Sequence, residues 1–97
     1  MKNVIIMTQG IKYLMKNQKI NEVDLLSSLS KFTFNDWGIL SNEDKEFQKE
    51  LLKIPNSKYT ERFMGVYVLN KTKIWIISEY DYSIKGLLIT ILLPEEY

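Results

Sequence analysis

The chain has 97 residues with a formal net charge of +1, and 45% of it is hydrophobic against 26% charged. That is one globular domain with a modest core, and a charge balance that argues against gripping nucleic acid by bulk positive charge. There is no Cys and no His, which excludes disulfides, thiolate zinc sites and Ser-His-Asp or Cys-His catalysis within one chain.

Residues 4–7 (Val-Ile-Ile-Met) read as a short strand, ended by Thr8-Gln9-Gly10. Ile11, Leu14 and Met15 recur at helical spacing, so residues 9–16 form a first helix with Thr8 as its cap. Asn21 opens a second helix with Val23, Leu26 and Leu29 along one side and Leu25 widening the stripe. Ser41 opens a third, with Glu43 and Asp44 in the first turn, where the helix dipole favours acids. Its inward stripe is expected to be Phe47, Leu51 and Ile54, and Pro55-Asn56-Ser57 closes it.

The remainder reads as sheet. Residues 62–69 and 72–78 form two strands about an Asn70-Lys71 turn, and residues 87–93 form a third. Residues 79–86 are read as a long loop rich in tyrosine and acid. The expected fold is a single α+β domain over residues 1–97: a short N-terminal strand, two to three helices, then a three-stranded antiparallel β-meander. No stretch approaches the roughly 20 apolar residues of a membrane span. A soluble, cytoplasmic protein is expected, with no cofactor and no membrane partner.

Both faces of the strands are apolar. Ile74 and Ile76 alternate with Trp75 and Ile77, and Leu87, Ile89, Ile91 and Leu93 with Leu88 and Leu92. One apolar sheet face is therefore a candidate for contact with a second copy or another protein, unless the helices divide between the two faces.

Asp36-Trp37-Gly38-Ile39-Leu40, then Glu43-Asp44, the segment from Lys73 to Glu79, and the ending Leu92-Leu93-Pro94-Glu95-Glu96-Tyr97 form a pattern. It resembles a family of small bacterial "plasmid-related" proteins carried on plasmids, integrative elements and phages. That family shows D-W-G-x-L-x-x-E-D, K-I-W-I-I-T-E-x-D-R-S and L-x-P-E-E-Y. Tyr67 falls at the family's tyrosine, and Glu79 and Asp81 match its E-x-D. Gly65, Gln48 and Tyr82 stand where the family has Ser, often Asn, and Arg. The resemblance covers residues 34–97 and implies mobile-element cargo, for which countering host defence is a common task.

Three constellations carry possible chemistry. Glu79, Tyr80, Asp81, Tyr82 and Lys85 form a candidate protein-contact surface, since tyrosine supplies large contact area at low entropic cost. The alternative is a set of aromatics folded back on the sheet. Lys58, Arg62, Lys71 and Lys73 form a modest basic edge for nucleic-acid phosphates, or simply lysines guarding a sheet edge. Glu79, Asp81, Glu95 and Glu96 would need to converge to hold a divalent cation for hydrolysis; otherwise they are a solvated rim. No catalytic residue and no metal ligand is assigned. The leading expectation is a non-enzymatic inhibitor that binds a host defence complex, of the anti-CRISPR or anti-restriction kind. A nucleic-acid-binding accessory protein is the alternative, and a metal-dependent hydrolase comes third.

Overall fold

The computed structural model describes residues 2–97. Strand β1 (Lys2–Met7) leads into helices α1 (Gln9–Lys16), α2 (Glu22–Thr33), α3 (Asn42–Leu52) and the single turn α4 (Ser57–Thr60). Strands β2 (Phe63–Leu69), β3 (Thr72–Asp81) and β4 (Gly86–Leu92) follow, and a 3-10 turn, Pro94–Glu96, ends the chain. The fold is α+β, as expected. The meander β2–β3–β4 is only part of its sheet: β1 lies parallel beside β4, giving one four-stranded mixed sheet in the order β1-β4-β3-β2. Local pattern identifies β1 as a strand but carries no information on so distant a partner.

Helix starts follow side-chain chemistry. Asn21 accepts the Asp24 N–H at 2.8 Å and Ser41 accepts that of Asp44 at 3.2 Å, each satisfying a donor that the first helical turn leaves free. Thr8 occupies the cap position of α1 without capping it. That role passes to Glu96, whose carboxylate accepts from Thr8 Oγ1 at 2.5 Å, Gly10 N at 2.9 Å and Leu93 N at 2.9 Å. A β-carbon at position 10 would stand 2.7 Å from that carboxylate, so glycine is what lets the C-terminal turn close on α1.

Register sorts the side chains onto two faces. Phe63, Tyr67, Ile74, Ile76, Ile89 and Ile91 share one face and pack with Ile11 of α1, Leu25 and Phe32 of α2, and Trp37. We call this the core face. On the opposite face Val66, Ile77 and Leu92 are also buried. Tyr97 rests edge-on against Trp75 there, ring centroids 5.6 Å apart, with the Arg62 guanidinium 5.0 Å from the tyrosine centroid. The second face is thus covered in part: Val4, Met64, Trp75 and Leu88 on it are half-buried, and Ile6 and Val68 at its margins are exposed.

The outer edge of β2 is closed as well. Gln48 of α3 makes a reciprocal pair with the Met64 backbone, accepting from its N–H at 2.8 Å and donating to its carbonyl at 3.1 Å. One step along, Val66 N–H donates to Trp37 O at 3.0 Å, and Ile39 N–H donates to Val66 O at 2.8 Å. Gly38, at φ 68°, allows that approach. This edge fixes the rotation of α3. Gln48 faces inward, while Phe47 and Ile54, expected on the inner stripe, are exposed. Burying Phe47 would gain about 1.5–3 kcal/mol. Stranding a buried N–H and C=O costs about 1–3 kcal/mol each, so the hydrogen bonds win. Helix α2 departs in the same way: Leu25, Ser28 and Phe32 face inward, and Val23 and Leu26 face solvent.

Candidate functional site

Residues 79–81 belong to β3, not to a long loop. Glu79, Tyr80 and Asp81 pair with Leu88, Leu87 and Gly86. Only residues 82–85 turn the chain, with Lys85 at φ 52°. A polar strand end with one tyrosine on the core face lacks the apolar alternation that marks a strand, so this part of β3 has a loop-like sequence. Asp81 sets this turn: its Oδ1 accepts from Ser83 N at 2.8 Å and from Ser83 Oγ at 2.5 Å. The Ser83 hydroxyl and then its N–H hold the Asp81 carboxyl below the usual carboxylate range.

The five candidate contact residues therefore divide. Tyr80 lies on the core face with Ser78, while Glu79 is exposed on the other side of the strand. Tyr82, 85% exposed, meets Tyr80 edge to face at 4.8 Å between centroids. Helix α4 packs alongside, and Asn56, Tyr59, Thr60, Tyr80 and Tyr82 line a groove of about 540 Å³. Tyr59 is the member the sequence did not flag. It stands on a one-turn helix, too short for any periodicity to show. Asp81 and Lys85 serve the turn that carries Tyr82, at the edge of this surface.

A smaller cavity of about 180 Å³ shares Tyr59 with the groove as a wall residue. Its floor is Asn3, Phe63, Ser78, Leu87 and Ile89, one or more from each strand; Phe32, Trp37 and Lys58 enclose it. The volume falls below the roughly 300–1,000 Å³ of ordinary ligand sites. Lys58 is occupied there. Its Nζ donates to Thr33 O at 3.0 Å, at the C-terminal end of α2 where a cation suits the dipole, and burial lowers its pKa.

The basic residues do not assemble into one edge. Lys58 sits on the core face and Arg62 is stacked on Tyr97, donating to its hydroxyl at 2.6 Å. Lys71 lies in the β2–β3 turn, at the far end of β2 from Arg62, with Lys73 just beyond it on β3. Nor do the carboxylates converge. Asp81 pairs with Gly86 at the start of β4, whereas Glu95 and Glu96 follow the end of that strand. Among the described residues no group of three acidic, His or Cys side chains is placed to hold a metal ion. No helix among them is long and apolar enough to cross a membrane. No family model, curated protein or solved structure matches the chain.

Proposed function

We propose that the chain acts by stoichiometric binding to a protein partner, using the groove of Tyr59, Tyr80 and Tyr82 as its contact surface. One observation carries this reading: a pair of tyrosines in edge-to-face contact, one on a strand and one on a hydrogen-bonded turn, beside an open groove. Aromatic anchors on rigid elements lose little entropy on binding, and that is the property of residues that dominate interface energy. The resemblance to mobile-element proteins makes a host defence complex the most concrete partner, with inhibition by covering an essential surface.

The test is to recover a tagged chain from host lysate at high salt, identify the co-purifying protein, and measure its affinity for the native chain and the Tyr80→Ala, Tyr82→Ala double variant. Loss of a central anchor costs on the order of 2 kcal/mol, or roughly thirtyfold in Kd. Unchanged affinity in the double variant refutes the assignment of the groove. Recovery of nucleic acid in place of a protein, with an affinity for it that falls steeply with added salt, points instead to the nucleic-acid reading.

A further inference from the structure

The two edges of the sheet are treated differently. Gln48 and residues 37–39 occupy the outer edge of β2, whereas nothing among the described residues pairs with the outer edge of β1. Thr8 N–H donates to Ile91 O at 3.1 Å, next to the parallel pair Met7–Ile91. In a parallel ladder the N–H and C=O of one residue point the same way and successive residues alternate. The backbone groups of Val4 and Ile6 are therefore spent on β4, and those of Asn3, Ile5 and Met7 point outward. Ile5 and Ile6 are 50% and 43% exposed, on opposite faces of this strand. Residues 3–7 contain no charge, proline or glycine, so the devices by which proteins blunt an edge are absent beyond Lys2.

We propose that β1 pairs with β1 of a second copy, antiparallel about a two-fold axis at Ile5, joining two sheets into one of eight strands. Among the antiparallel registers, this is the one in which every outward group of Asn3, Ile5 and Met7 finds a partner. Ile5 exchanges both hydrogen bonds with its counterpart, and Asn3 and Met7 each do so with the other's counterpart, which uses all six outward groups. On the opposite face Val4 and Ile6 stand directly across from each other's counterparts and cover the exposed isoleucine. Lys2 falls opposite Thr8, so no like charges meet. A junction of two short strands buries less than the ~1,200–2,000 Å² of a standard interface, and the dimer is consequently a reversible one. It does not depend on the tyrosine groove.

Because the chain has no cysteine, one substitution reads the register directly. Ile5→Cys places two thiols across a hydrogen-bonded antiparallel pair, where Cα atoms are about 5.5 Å apart, inside the ~4.4–6.8 Å span of a disulfide. Mild oxidation is expected to convert this variant to a covalent dimer much faster than Val23→Cys, whose thiol is exposed on the solvent face of α2. Sedimentation equilibrium of the native chain should show the mass doubling as concentration rises. Ile5→Pro removes an outward N–H and no internal hydrogen bond, and should remain folded by circular dichroism yet monomeric. A native chain that stays monomeric into the millimolar range overturns the proposal, as does Ile5→Cys cross-linking no faster than Val23→Cys. Should Ile5→Pro unfold, the cysteine pair still decides.

Discussion

Replacing Gln48 tests whether a side chain is what closes the β2 edge. Gln48→Ala removes both partners of the Met64 backbone, one N–H and one C=O, beside a side chain only 6% exposed. At about 1–2 kcal/mol for each group left unpaired, between full hydration and full burial, the loss is about 2–4 kcal/mol. In a domain of this size each kcal/mol moves Tm by about 4–8 °C, so the melting point should fall by roughly 8–32 °C. Urea unfolding should show a lower midpoint with an unchanged m-value. Gln48→Leu separates hydrogen bonding from packing: it retains most of the volume and neither bond, and should be nearly as unstable as the alanine variant. Gln48→Glu adds a signature of its own. Its carboxylate still accepts from Met64 N–H but faces the Met64 carbonyl, and only the protonated acid donates to it. The folded state therefore raises the pKa of this glutamate, and the contribution it makes to stability grows as pH falls, opposite to the usual acid limb. A leucine variant as stable as the native chain would refute the reasoning.

Glu96 should govern part of the acid limb of the native protein. Burial pushes its pKa up, but hydrogen bonds from Thr8, Leu93 and Gly10 prevail and leave it below the ordinary 4.5. Its contribution is thus present above that value and lost as pH falls through the lower folded one. Glu96→Gln should lower the urea midpoint at neutral pH and flatten this part of the profile; a parallel pH dependence in variant and native chain argues otherwise. At the β2–β3 turn, Asn70 and Lys71 stand at φ 48° and 65°, the left-handed pair of a type I′ hairpin, in which glycine is favoured second. Lys71→Gly should stabilise by about 0.5–1 kcal/mol after the entropic cost of glycine in the unfolded chain, and calorimetry showing a lower Tm would refute it.

What the sequence discloses here is local chemistry. Asn21 and Ser41 cap helices because their side chains reach an N–H three residues on, and Asn70-Lys71 turns because asparagine tolerates a left-handed backbone. Such contacts need only neighbours. The features that escaped reading each join distant residues. Glu96 caps α1 across 86 positions, and Gln48 serves a strand 16 residues away. Hydrophobic periodicity assigns Phe47 inward because it counts apolar area alone, while the unpaired edge of β2 is invisible until the sheet exists. The candidate site was half legible for a related reason. Tyr80 and Tyr82 stand out by composition, but their partner Tyr59 is brought to them by a one-turn helix whose position depends on the packing of α4 on β3.

If both the tyrosine groove and the β1 junction are as proposed, their geometry makes the dimer a bivalent ligand. The two-fold axis of an antiparallel β1 pair stands normal to the sheet, so both core faces, and with them both grooves, lie on the same side. Tyr80 pairs with Leu87, which pairs with Asn3, placing each groove level with Asn3 of its own chain and with Met7 of the other. Five strand spacings of ~4.8 Å and four residues of ~3.3 Å then separate the grooves by about 27 Å. A partner assembly that repeats its binding surface at that spacing is held by avidity, with an effective concentration near millimolar for the second contact. Ile5→Pro should then leave affinity for an isolated partner subunit unchanged and weaken binding to the repeating assembly by tenfold or more. Equal weakening against both would show that the substitution damages the groove itself, and no weakening against either would show that the two grooves do not engage together.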